Sequence, residues 1–148
     1  MAGLFSRLQK RSIGHHPYCT AVVVAAGSAS RMKGIDKIMT TLGGIPVLAR
    51  TLQALEQCGR IDEIVVVTRT DLCAPVNILC REFGIQKVTA VVSGGATRAE
   101  SVRCGLCAVS GRAELAAIHD GARPFVSQEL LERVLIAGAK TGAAAPAV

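Results

Sequence analysis

Ala21-Val22-Val23-Val24-Ala25-Ala26 runs directly into Gly27-Ser28-Ala29-Ser30-Arg31-Met32. A continuous run of β-branched and small apolar side chains is the pattern of a strand buried on both faces. The small residues after it, with a cation among them, suit a loop at the strand's carboxyl end. Outward from this stretch, short apolar runs alternate with amphipathic ones. Ile64–Val67, Val88–Val92 and Leu115–Ile118 read as further strands, and Ala143–Val148 as the start of a fifth. Pro46 opens a helix carrying Leu48, Leu52 and Leu55 and ended by Gly59. Asp71 caps a second, with Leu72, Val76, Leu79 and Phe83 on one face and Gly84 stopping it. Thr97-Arg98-Ala99-Glu100 is a capping box ahead of a helix whose Ala99, Val102 and Leu106 face the core. Ser127 caps a last helix carrying Leu131, Val134 and Leu135. Strands alternating with helices specify an α/β fold with a mainly parallel sheet.

Composition narrows the function. Apolar residues make up 50% of the 148-residue chain and charged ones 19%, which excludes a disordered chain. Aromatics are only 3%, too few for a base-stacking platform. Lys plus Arg total 17 against 11 acids, but Arg7, Lys10 and Arg11 lie ahead of residue 12, leaving 14 against 11 in the body. So mild an excess predicts a pocket for a small anion and no nucleic-acid partner. No apolar run exceeds the seven residues Ala21 to Gly27, so no membrane span is expected. The first 20 residues lack a signal-peptide core, which places the protein in the cytoplasm. Residues 1–18 read as a basic flexible tail and residues 19–148 as one folded unit. The six cysteines are scattered, and the Cys104–Cys107 spacing has no second pair to complete a zinc site, so all six are expected reduced.

Parallel sheets bind ligands beyond the carboxyl ends of their strands. Three loops qualify. The first carries Ala25, Ala26, Gly27, Ser28 and Ala29, whose small side chains admit backbone N–H groups to polyphosphate oxygens, with Arg31 and Lys37 as cationic donors. It lacks both the dinucleotide-binding glycine spacing and the Gly-Lys-Ser/Thr of a Walker A loop. The second, Ser93-Gly94-Gly95-Ala96-Thr97-Arg98, leads to Ser101; its paired glycines permit close approach of a base or ribose. The third, His119-Asp120-Gly121-Ala122-Arg123-Pro124, offers Asp120 to metal-bound water or substrate hydroxyls and Arg123 to an anion, with His119 as a packed residue.

Gly94-Gly95-Ala96-Thr97-Arg98 with Ser101-Val102, followed by His119-Asp120-Gly121-Ala122-Arg123-Pro124, resembles the 2-C-methyl-D-erythritol 4-phosphate cytidylyltransferase family over residues 19–148. Ala29, often Gly in that family, and Ile38, usually Gln, depart from its phosphate loop. The resemblance implies a Rossmann-like three-layer nucleotidyltransferase fold, C-terminally truncated here. It implies CMP transfer from CTP to 2-C-methyl-D-erythritol 4-phosphate, a sugar-alcohol phosphate, with Mg²⁺ as cofactor and a homodimer in the full-length form. Arg31 and Lys37 would be catalytic. Ala25 to Ala29, Gly94, Gly95, Ser101 and Gly121 would bind the nucleotide, with Gly94, Gly95 and Ser101 reading cytosine and ribose. Asp120 and Arg123 would face substrate and metal, Asp120 holding the ion through water. Two alternatives are a ribitol-5-phosphate cytidylyltransferase and a nucleotide-binding module without turnover.

Overall fold

The structure, a computed structural model, describes residues 16–27 and 36–147. Its main sheet has four parallel strands: β1 (Cys19–Ala25), β4 (Glu63–Thr68), β5 (Val88–Ser93) and β6 (Leu115–Asp120), in the order β5-β4-β1-β6. A two-stranded hairpin, β2 (Thr41–Leu42) and β3 (Ile45–Pro46), precedes α1 (Val47–Glu56). The other helices are α2 (Cys73–Glu82), α3 (Arg98–Cys107) and α4 (Gln128–Thr141). Among the described residues no helix is long and apolar enough to cross a membrane.

β1 lies at the sheet's centre because its residues are apolar on both faces. Ala21, Val22 and Val23 are fully buried, and β4 beside it is buried from Glu63 to Thr68. On one face Ala21, Val23, Ile64 and Val66 pack with Leu48, Leu52 and Leu55 of α1 and Val76 and Leu79 of α2, and Leu131 and Leu135 of α4 join that core. The chain steps outward from β1 to β4 to β5 and then returns to β1's other side as β6. That reversal leaves a crevice at the carboxyl end of β1, the place where such sheets take ligands.

The opposite face is closed by α3, and here the sequence reading needs correcting. Ala99 and Leu106 are exposed, and Val102 is only half-buried; the buried stripe is Ser101 and Gly105. A Cβ on Gly105 would stand 2.4 Å from Val22 Cγ1 and 2.7 Å from Val67 Cγ2. The helix therefore sits against the valines through its smallest residues, a contact that apolar periodicity does not register.

Four other expectations change. Asp71 does not cap α2: it lies in a 3₁₀ turn, Thr70–Leu72, and pairs with Arg69, while Leu72 precedes the helix without a side-chain cap. α1 ends at Glu56 through Gln57, ahead of Gly59, although Pro46, the last residue of β3, does stand at its start as the N-cap. No strand forms over 143–147, which are exposed; Ala-rich sequence with Pro146 offers few β-branched side chains and lacks one N–H donor. His119 and Asp120 belong to β6 itself. The hairpin went unread, although Gly43 (φ +60°) and Gly44 (φ +78°) supply the two positive-φ positions that a tight hairpin turn needs. The capping box on α3 is present, with Thr97 Oγ1 accepting from Glu100 N at 3.1 Å and Thr97 N donating to Glu100 Oε2 at 3.0 Å.

At the far end of the sheet Glu63, 4% exposed, accepts from Thr20 Oγ1 (2.6 Å), Thr89 Oγ1 (2.7 Å) and Ser110 N (3.3 Å). Burial alone would raise its pKa, but these hydrogen bonds and the nearby Arg112 charge hold the carboxyl below its ordinary value. It stitches β1, β4 and β5 together. Of the tail, residues 1–15 lie outside the described residues. Tyr18 donates its N–H to Glu114 Oε1 (3.2 Å), and its ring lies under the Arg112 guanidinium at 4.3 Å. All six cysteines are free thiols.

Candidate active site

The carboxyl ends of β1, β4, β5 and β6, with the segment leading into the hairpin, surround an open cleft of about 1100 Å³. Of the residues expected there, Ala25, Ala26, Gly27, Lys37, Gly94, Gly95, Ser101, Asp120 and Arg123 line it. Gly121 lies just beneath, buried. Ser28, Ala29 and Arg31 lie outside the described residues.

Gly94, Gly95 and Gly121 fit because the walls around them leave no space for a side chain, whereas Gly27 stands in the open. A Cβ on Gly94 would come within 2.6 Å of both Ala26 Cβ and Ser101 Oγ, and one on Gly121 within 2.8 Å of Ala25 Cβ. Gly94 N donates to Thr68 O (2.8 Å), and Gly121 N to Val24 O (2.8 Å), so both loops leave the sheet in fixed directions. The buried Thr51 hydroxyl of α1 donates to Gly121 O at 2.8 Å, tying the third loop to the core. Ser101 is buried, and its Oγ accepts from Gly95 N at 3.2 Å, so its first task is to shape the glycine loop.

Asp120 is the electrostatic centre of one wall. Its Oδ1 accepts from Arg98 Nη2 at 2.9 Å, and its Oδ2 lies 3.1 Å from Arg123 Nε. Burial opposes its ionisation, yet the Arg98 hydrogen bond and the two guanidinium charges prevail and hold it below the usual carboxylate range. Burial pushes the pKa of the neighbouring His119 down, favouring the neutral imidazole, and its Nδ1 is buried without a hydrogen-bond partner among the described residues.

Sequence reading missed the opposite rim. Arg69 donates from Nη2 to Asp36 Oδ2 at 2.7 Å and from Nε to Asp71 Oδ1 at 3.2 Å. Thr70 Oγ1 lies 2.7 Å from Ser93 Oγ, joining the ends of β4 and β5. Arg69 directly follows β4, a position that the strand-end rule would have marked; the reading stopped at the loops after β1, β5 and β6. Arg98 stood within a quoted motif but had no role until its contact with Asp120 was seen. The described lining carries four cations (Lys37, Arg69, Arg98, Arg123) against three carboxylates (Asp36, Asp71, Asp120), a net charge of +1. Lys37 is exposed and makes no ion pair with the described residues.

No group of three or more His, Cys, Asp or Glu side chains that could hold a metal occurs among the described residues. Asp120 alone, with both oxygens engaged by arginines, does not form a protein-built metal cage. The donor set fits an ion that arrives with a polyphosphate and keeps most of its waters, as Mg²⁺ does.

The comparisons with known proteins agree with this architecture. A family model described as 2-C-methyl-D-erythritol 4-phosphate cytidylyltransferase matches residues 19–148. The curated protein of that name from Syntrophus aciditrophicus is 40% identical over 134 residues, covering 89% of this chain and 57% of its own length. The 4-diphosphocytidyl-2C-methyl-D-erythritol synthase of Anaerococcus prevotii superposes with a TM-score of 0.71 at 31% identity, covering 82% of this chain and 51% of that one. Rv0371C of Mycobacterium tuberculosis, solved as a complex with manganese, gives a TM-score of 0.64 at 25% identity, covering 84% of this chain and 61% of that one. The chain spans just over half the length of the curated relatives it matches.

Proposed function

The chain belongs to the 2-C-methyl-D-erythritol 4-phosphate cytidylyltransferase family, and on that premise we propose that residues 19–148 bind CTP and carry the nucleotide side of CMP transfer to 2-C-methyl-D-erythritol 4-phosphate. The observation that carries the reading is the cleft at the β1 switch point, where two glycine-walled loops and the Arg98–Asp120–Arg123 cluster converge.

In the reaction an oxygen of the acceptor's phosphate attacks the α-phosphorus of CTP. The bond from that phosphorus to the bridging oxygen breaks, and pyrophosphate leaves. The nucleophile is already an anion, so no general base is needed; the barrier lies in bringing anions together and in the charge of the transition state. Lys37 and Arg31 are the cations assigned to the phosphates. Ala25, Ala26, Gly27, Ser28, Ala29 and Gly121 are assigned to binding the nucleotide, and Gly94, Gly95 and Ser101 to reading the cytosine and ribose. Arg123 faces the acceptor. A divalent ion, taken as Mg²⁺, supplies charge neutralisation at the triphosphate when bound, and Asp120 is the residue that would hold it, through water. The manganese in the Mycobacterium tuberculosis relative supports a divalent ion of this kind. A cytoplasmic homodimer, with residues 1–18 as a basic tail whose last residue, Tyr18, is held by Glu114 and Arg112, completes the proposal.

Pyrophosphate release, followed with CTP and either 2-C-methyl-D-erythritol 4-phosphate or ribitol 5-phosphate, tests it. Release with the first acceptor alone is expected. Release only with ribitol 5-phosphate overturns the acceptor assignment, and intact CTP binding with no release from either reduces this chain to a nucleotide-binding module.

A further inference from the structure

We infer that the Asp36–Arg69 ion pair is a positioning clamp that fixes Lys37 at the mouth of the cleft, an inference resting on the nucleotide-binding reading above. Asp36 folds the chain around Lys37 with two of its acceptors. Oδ1 accepts from Ile38 N at 3.3 Å, and the carbonyl accepts from Thr40 N at 2.9 Å and Thr40 Oγ1 at 2.8 Å. Oδ2 is left for Arg69, whose Nη2 donates to it at 2.7 Å. On the other side of Lys37, Ile38 is 6% exposed in the main core, and its carbonyl accepts from Leu48 N at 2.9 Å. Lys37 thus stands between one residue held by charge and one held by burial.

The clamp is anchored. Asp71 takes two contacts from the same guanidinium, Nε at 3.2 Å and Nη2 at 3.3 Å. The next residue, Thr70, meets Ser93 at 2.7 Å, so the turn after β4 is tied to the end of β5. One guanidinium shared by two carboxylates offers little net charge to a phosphate. Lys37, with no carboxylate partner among the described residues, keeps its charge available. Arg69 therefore acts through where it holds Lys37. The pair is only partly exposed, at 31% and 25%, so water and salt screen it less than a surface pair.

Two measurements on the 148-residue chain test this. Amide hydrogen exchange at Ile38 and Thr40 should quicken about fivefold in Arg69→Gln, the factor matching about 1 kcal/mol for an ion pair of this kind. Asp36→Asn, which keeps the acceptor for Ile38 N, should do the same, and Arg69→Lys should restore part of the protection. By calorimetry with CTP and Mg²⁺, Arg69→Gln should weaken binding about fivefold, yet change it less than about twofold when Lys37→Ala is already present. Unchanged exchange in both Arg69→Gln and Asp36→Asn overturns the clamp. An equal loss of CTP affinity with and without Lys37 overturns its action through that residue. Quickened exchange with CTP affinity indifferent to Lys37→Ala supports the clamp and removes Lys37 from the nucleotide site instead.

Discussion

His119 shows how one side chain makes the fold sensitive to acid. It lies on β6 beside the charged Asp120, yet its own Nδ1 is buried and unpaired among the described residues. Burial lowers its pKa below the unfolded value of about 6.5, against the pull of Asp120. The neutral imidazole's contribution is therefore intact above about pH 6.5 and is lost as the pH falls through the folded value. His119→Phe, which keeps a planar ring without a titrating nitrogen, should flatten the fall in urea-unfolding stability between about pH 6.5 and 5. An unaltered slope would assign the acid sensitivity to other groups. Asp120 and Glu63 act at lower pH. Their carboxyls are held below the usual range, so their contribution is complete above about pH 4 and disappears further down. The thiols differ by the same physics: burial pushes Cys19 up to about 12 and Cys80 to about 11, whereas Cys107 is exposed. At pH 8 iodoacetamide should label Cys107 readily and leave Cys19 and Cys80 protected until the chain unfolds.

At the scale of elements, α3 sets two rules against each other. Helix propensity favours Gly105→Ala by about 1 kcal/mol. The added Cβ would stand 2.4 Å from Val22 and 2.7 Å from Val67, inside the packed valine face of the sheet. Overpacking of that kind costs about 1–3 kcal/mol, so urea unfolding should find Gly105→Ala destabilised, by up to about 2 kcal/mol net of the propensity gain. A stabilised variant would mean that the helix lifts off the sheet with ease. The same element marks where sequence reading worked and where it did not. The capping box was legible because Thr97 and Glu100 act within one turn. The buried face was not, because what faces the sheet was chosen for smallness, and a hydrophobic period looks for bulk. Strands β1, β4, β5 and β6 were legible from their β-branched runs, each observed one or two residues longer or shifted by that much at an end. Asp71 was misread since a carboxylate ahead of a helix has two possible partners, the helix N-terminus and a nearby guanidinium. Arg69, two residues before it, decides between them.

Across the whole molecule, the cleft owes its place to strand order, which no local pattern states. β1 lies between β4 and β6, so the loops after β1, β5 and β6 converge although almost 100 residues separate Ala25 from Asp120. The expected loops do line the cleft. The Asp36–Arg69 pair was illegible because its members stand 33 residues apart and meet only once β1 and β4 lie side by side. The described lining spans residues 24–123, and the proposed nucleotide binding can be tested on this chain directly. CTP at about 100 times its dissociation constant should stabilise the chain by about 2.7 kcal/mol. For a domain of this length that corresponds to a rise in Tm of about 5–10 °C. ATP and GTP at the same concentration should raise it less, since the Gly94–Ser101 wall is assigned to the pyrimidine. Pyrophosphate alone measures the phosphate share of the effect, and a chelator should shrink the CTP shift by removing the ion that accompanies the triphosphate. A shift from ATP as large as that from CTP would remove the base assignment. A shift from pyrophosphate as large as that from CTP would reduce the cleft to a polyphosphate site, with the glycine wall a feature of packing alone.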